Sequence, residues 1–154
     1  MSRRNPHEHQ TFCFTGTQRG MTEAQLDTFS KFIQENRKQY YLMNNGDCVG
    51  ADGEAQDLCV VYFCTQHIRM YPAFELGHHK RVGVFTGLPH VVYMHKVTEP
   101  LKRNRLMVDD ASLVVATPAE NSEVLRSGTW ATIRYAVTRG KKLHIIMPDG
   151  KIEQ

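Results

Sequence analysis

The chain has 154 residues, 41% of them apolar and 23% charged, with a net charge of +3. That is the length of one domain able to withdraw about 70% of its unfolded surface from water, and the balance excludes a disordered or fibrous chain. The charge is small and scattered, which argues against a nucleic-acid partner and suits a small anionic ligand.

Residues 1–10 are expected to form a flexible terminus. It is basic at its start but leads into His7-Glu8-His9 rather than the apolar core of a secretory signal, so a cytoplasmic location is expected. Residues 11–15, TFCFT, form a β-rich run ending at Gly16-Thr17-Gln18-Arg19-Gly20, where the glycines permit a tight turn. Thr22 can cap the helix that follows, Met21 can staple against Leu26, and Leu26, Phe29, Phe32 and Ile33 recur at helical spacing until residues 36–38. A second strand over 40–43 opens into Asn44-Asn45-Gly46-Asp47-Cys48-Val49-Gly50-Ala51-Asp52. Ala51, Ala55, Leu58, Cys59 and Tyr62 then mark a second helix.

The longest apolar run, residues 58–64, is far short of the roughly 20 residues that cross a bilayer, so no membrane association is expected. A third strand over 67–71 stops at Pro72, and residues 73–98 read as an irregular insert. Within it, 82–94 is apolar but broken by Gly83, Gly87 and Pro89, and fits a hairpin, an interface or a lid equally well. Pro100 suits a helix start, and Leu101, Arg105, Val108 and Ala111 carry that helix to the strand over 113–117. Ser127 or Thr129 can cap the next helix, through Trp130, Ile133, Tyr135 and Val137 to Gly140, before a last strand over 143–147. Strands alternating with helices predict an α/β, Rossmann-like open parallel sheet of about five strands with helices on both faces, as a single domain over residues 11–150.

In such sheets ligands bind beyond the carboxyl ends of the strands, where strand order reverses. Three loops there place small residues at a helix N-terminus, whose unpaired N–H groups and dipole favour an anion. The first offers Gly16, Thr17 and Arg19, whose planar guanidinium suits phosphate. The second offers Gly46, Gly50 and Ala51 for close approach, with Asp47 or Asp52 to accept from ribose hydroxyls or to cap the helix. The third, Arg126-Ser127-Gly128-Thr129, combines a cation, two hydroxyls and a glycine, and reads as a phosphate cradle. Arg103 and Arg105 lie on the helix before the fourth strand, and part of that turn can face the site.

The strings GDCVGAD after the second strand, RNR on a helix before the fourth, and SGTWATIRYA before the last strand resemble the SLOG superfamily. That superfamily is Rossmann-like and groups nucleotide-sensing domains with LOG-type nucleoside-monophosphate phosphoribohydrolases. The resemblance spans residues 11–150. It implies that Gly46, Gly50, Gly128 and Thr129 line a phosphate and ribose pocket, with Arg103 or Arg105 nearby. LOG enzymes carry an acidic residue shortly after their Gly-Thr pair; here Gly128-Thr129 is followed by Trp130-Ala131-Thr132-Ile133. The carboxylate expected to act on the ribosyl centre is absent from that position, and Asp47, Asp52, Glu120 or Glu123 would have to replace it.

Eight histidines and four cysteines show no zinc-like spacing, so neither a metal nor any other cofactor is expected, and the thiols are expected to be reduced. Cys48 beside a helix N-terminus is a candidate nucleophile with no evident base. Trp130, Tyr71, Phe74 and Phe85 suit the core better than base stacking. A homo-oligomer is expected, with residues 82–94 as its candidate interface. The reading that follows is a nucleotide-binding module that senses or sequesters its ligand. The alternatives are an N-glycosidic hydrolase or transferase and, more weakly, a single-stranded DNA binder.

Overall fold

A computed structural model describes residues 10–62, 67–74 and 91–154. Seven strands and four helices follow in chain order: β1 (Thr11–Gly16), α1 (Glu23–Asn36), β2 (Leu42–Asn45), α2 (Ala51–Tyr62), β3 (His67–Met70), β4 (Val91–Met94), α3 (Pro100–Asp109), β5 (Leu113–Thr117), α4 (Gly128–Thr138), β6 (Lys142–Ile146) and β7 (Ile152–Glu153). They build one sheet in the order β4-β3-β2-β1-β5-β6-β7, parallel except for β7, which runs antiparallel to β6. The fold is α/β and Rossmann-like. β1 sits at its centre, and strand order reverses between β1 and β5.

Burial on both faces explains the near-continuous apolar strands. Phe12 and Phe14 of β1, Leu113 and Val115 of β5, Met43 of β2 and Ile68 of β3 pack with Phe29, Phe32 and Ile33 of α1 and Ala51, Ala55 and Cys59 of α2. The alternate residues Cys13 and Val114 face Met107 and Val108 of α3 and Ala136 of α4. Period-two alternation therefore assigns each residue of a central strand to one helical layer.

Helix starts follow local chemistry. Thr22 and Gln25 form a reciprocal capping box at α1, with Met21 and Leu26 in the same core cluster. Gln25 is buried, and its side-chain amide Nε2 donates to the carbonyls of Pro118 and Ile146, tying α1 to the far side of the reversal.

Several expectations shift. β2 begins two residues later than the sequence suggests, because Tyr40 turns into the aromatic cluster around Phe32. Among the described residues the strands number seven rather than about five: β4 lies at the end of the glycine-broken insert, and β7 is two residues long, so neither carries a clear sequence signal. Residues 75–90, and with them most of the candidate interface, His78, His79 and Phe85, lie outside the described residues, as does Cys64. The stripe expected on α3 is also displaced: Leu101 is exposed, and the buried positions are Pro100, Arg103, Met107 and Val108. Arg103 can turn inward because backbone carbonyls receive its guanidinium there.

Candidate functional site

The three glycine-bearing loops meet on one rim, at the carboxyl ends of β1, β2 and β5. A cavity of about 420 Å³ opens there, within the range of roughly 300–1,000 Å³ usual for small-molecule sites. β1 and its loop contribute Phe14, Thr15, Gly16, Thr17 and Gln18; the β2–α2 loop contributes Gly46, Cys48 and Asp52. The start of α3 contributes Pro100, Leu101, Arg103, Asn104 and Met107. The β5–α4 segment contributes Glu120, Leu125, Arg126, Ser127, Gly128, Thr129 and Ala131.

The α4 end is open. Ser127 is the N-cap, in extended backbone, and its Oγ accepts from the N–H of Trp130 at 3.2 Å. The Ser127 carbonyl accepts from Ala131 at 2.9 Å. The N–H groups of Gly128 and Thr129 have no hydrogen bond among the described residues, and the first turn holds no acidic side chain. Gly128 faces open space, and Arg126 is exposed beside it. Unpaired donors, the positive end of a helix and an exposed cation thus share one edge of the cavity.

The α2 end differs. Asp47 is buried at a φ of 56°, and its N–H donates to Asn45 Oδ1 at 2.8 Å. Gly50 has a φ of +89°, and a Cβ there would collide with the backbone of Gln18. Ala51 is fully buried and donates its N–H to the Thr17 carbonyl at 3.0 Å. Gly50 and Ala51 therefore let two loops of the protein approach each other, and neither lines the cavity. Asp47 also lies off the cavity. The first turn of α2 carries Asp52 and Glu54, so its positive end is already answered by the chain's own carboxylates.

Asp52 is 6% exposed, and its Oδ2 accepts from the Cys48 N–H at 3.2 Å. Burial pushes its carboxyl up to about 6; Arg103 and the Cys48 N–H hold it back, while Asp47 adds to the rise. Arg103 is 4% exposed. It donates to the carbonyls of Gly46 and Tyr71, at 3.0 Å for the latter, and through Nε to Asn104 Oδ1 at 2.7 Å; Nη2 lies 3.4 Å from Cys48 Sγ. These bonds make Arg103 the clasp that holds the β2–α2 loop against α3, rather than a free cation for a ligand. The Cys48 thiol is pushed up to about 11, first by burial and then by Asp52, against the pull of Arg103, which removes it as a ready nucleophile at neutral pH.

The remaining candidates divide. Thr17, Ser127, Gly128, Thr129, Arg126 and Glu120 line the cavity, Glu120 Oε2 accepting from Trp130 Nε1 at 3.1 Å. Trp130 itself packs in the core with Ala116 and Ile133. Gly16 lines it as well, and is required because a Cβ would strike Thr117 Oγ1 and the Ala51 side chain. Arg19 is exposed and off the cavity. Glu123 pairs with Arg134 at 2.8 Å on the surface. Arg105 lies 5.5 Å over the ring of Tyr135 in the neighbouring α3–α4 groove, so of the two arginines proposed near the pocket Arg103 alone lines it. Sequence reasoning missed Leu101 and Leu125 as lining residues. Leu125 could have been noticed as part of the apolar pair Val124-Leu125 in the otherwise polar stretch before the Ser127 cap.

Among the described residues no helix is long and apolar enough to cross a membrane, and no group of three or more His, Cys, Asp or Glu is placed to hold a metal ion. No protein-family model and no curated protein matches the sequence. Among the solved structures that share the fold are two proteins. One is DNA processing protein A (DprA) from Streptococcus pneumoniae, with a TM-score of 0.62 and 16% identity, over 88% of this chain and 49% of that one. The other is the structural-genomics target TM1055, with a TM-score of 0.57 and 15% identity, over 87% of this chain and 72% of that one. The chain thus spans about half the length of DprA. These likenesses show a Rossmann-like α/β fold.

Proposed function

We propose that this Rossmann-like chain binds a nucleotide or nucleotide-derived ligand in the cavity at the strand-order reversal and acts as a sensing or sequestering module. The observation that carries the reading is the open end of α4. The Gly128 and Thr129 N–H groups, the hydroxyl-bearing Ser127 and Thr129, and the Arg126 guanidinium meet a cavity of about 420 Å³. In this reading the phosphate rests at α4, and Thr17 and Asp52 lie within the same cavity for the ribose. Arg103 positions the loop that presents Asp52.

A second reading, N-glycosidic hydrolysis of a nucleoside phosphate, draws support from Asp52 and Glu120 lining one cavity and from an Asp52 carboxyl at about 6. A group that titrates close to neutral pH can hold or release a proton during turnover. In that reaction water adds to the ribosyl C1′, the C1′–N bond breaks, and the base leaves with a proton. The first turn of α4 has no carboxylate to assist, which favours binding without turnover.

Titration calorimetry with the nucleoside 5′-monophosphates, cyclic nucleotides, ADP-ribose and single-stranded DNA, with chromatography of each mixture for free base, separates the readings. A defined stoichiometry with intact ligand supports the module. Released base that disappears in Asp52→Asn replaces it with the hydrolase, and binding of DNA with a steep loss in salt replaces both.

A further inference from the structure

Two leucines on the cavity are far more exposed than their chemistry favours: Leu101, in the first turn of α3, at 54%, and Leu125, just before the α4 cap, at 84%. Both line the same cavity as the Gly128 and Thr129 amides. The cavity is therefore two-sided, with donors and a cation at the α4 start and exposed aliphatic surface at its margin. A ligand that satisfies both sides joins an anion to a flat apolar ring.

Asn104 lies on the same cavity between them in chemistry. Its Oδ1 accepts from Arg103 Nε at 2.7 Å. A guanidinium has donors only, so the amide oxygen must occupy that position, and the NH₂ end is the one left over.

We propose that Leu101 and Leu125 form the base-binding margin of the nucleotide site, holding the ring by apolar contact, with the Asn104 amide as a hydrogen-bond donor to its edge. The inference rests on the phosphate-at-α4 reading above and adds to it how the base is held. Contact of this kind follows the area of the ring more than the pattern of its edge, so selectivity among the four bases is modest, within about tenfold. Because both leucines are largely exposed, truncating them leaves the fold intact.

The test compares adenosine, guanosine, cytidine and uridine 5′-monophosphates with ribose 5-phosphate by calorimetry, on the wild type and on the Leu101→Ala/Leu125→Ala double variant. The expected result is that the nucleotides bind the wild type at least about tenfold more tightly than ribose 5-phosphate, and that the double variant loses most of this advantage while its affinity for ribose 5-phosphate is unchanged. Equal binding of ribose 5-phosphate and the nucleotides to the wild type, or an advantage that survives the double variant, overturns the base margin and leaves the phosphate site standing. Absence of binding by ribose 5-phosphate and all four nucleotides overturns the base margin, and absence of binding by cyclic nucleotides and ADP-ribose as well overturns the phosphate site with it. Sedimentation of the same proteins adds a separate outcome. A dimer that the double variant converts to monomer, with nucleotide affinity unchanged, shows that a second copy covers the leucines, and overturns the inference.

Discussion

The starts of α2 and α4 look alike in sequence, each a glycine beside small polar residues, and the fold uses them in opposite ways. At α2 the glycine exists so that Gln18 can pack against it. The Thr17 carbonyl takes the Ala51 N–H, and Asp52 and Glu54 supply negative charge. At α4 the glycine faces open space, two N–H groups are unpaired among the described residues, and no carboxylate lies in the first turn. A helix N-terminus is a general anion site only until the protein fills it with its own groups. One of these ends has become structure, and the other remains available for a guest.

The sharpest way to break this contrast is at the clasp of the α2 side. Arg103→Ala should lower unfolding free energy by about 3–5 kcal/mol in urea denaturation, since it strands the Gly46 and Tyr71 carbonyls and removes the charge that holds Asp52 down. Measured alongside it, Gly50→Ala should cost about 3 kcal/mol, from a positive φ and a collision with the Gln18 backbone. Gly128→Ala, where a Cβ meets nothing, should stay within about 0.5 kcal/mol of the wild type. Equal losses at the two glycines would erase the distinction between a packed end and an open one.

Asp52 gives a pH signature next in size. Its folded carboxyl, at about 6, lies above the ordinary value of 3.8, so the folded state holds the proton more tightly than the unfolded state does. Stability is therefore highest below the unfolded value and falls as pH rises through the window from about 4 to about 6, by roughly 2–3 kcal/mol once the group is ionised. Denaturation midpoints at pH 4 and pH 7 should show this loss in the wild type and much less of it in Asp52→Asn, whose amide oxygen can still accept the Cys48 N–H.

The open end is probed by binding. Gly128→Asp should leave the fold intact and weaken nucleotide binding by tenfold or more, because it places a carboxylate where the phosphate is proposed to rest. Arg126→Ala should weaken it about two- to fivefold with a shallower salt dependence, as suits one exposed cation. Calorimetry at two salt concentrations checks both, and unchanged affinity in the pair would move the phosphate away from α4.

Much of the architecture was readable in advance. Phe12, Phe14, Val114 and Val115 announce strands buried on both faces, Thr22 and Ser127 announce helix starts, and the order of elements leads to an open parallel sheet with helices on both faces. The short β4 and β7 were not readable, because a strand of two to four residues carries too little periodicity to stand out from its turns. The convergence of the three loops on one rim was expected from the sheet topology, while which residues within that rim line the cavity depends on packing. Arg105, Arg19, Asp47 and Glu123 turn elsewhere, and Leu101 and Leu125 face the cavity unannounced.

Local chemistry, written in consecutive residues, determined where strands and helices form and which loops hold glycine and hydroxyl groups at helix starts, since caps, turns and periodicity act over a few positions. Whether such a glycine faces solvent or another loop, and whether an arginine reaches a ligand or a carbonyl of its own chain, depends on groups distant in sequence that packing brings within a few ångströms. Gln18 against Gly50 and Arg103 against Gly46 are contacts of that kind. They were settled by the tertiary fold, which is where an open anion site and a filled one part ways.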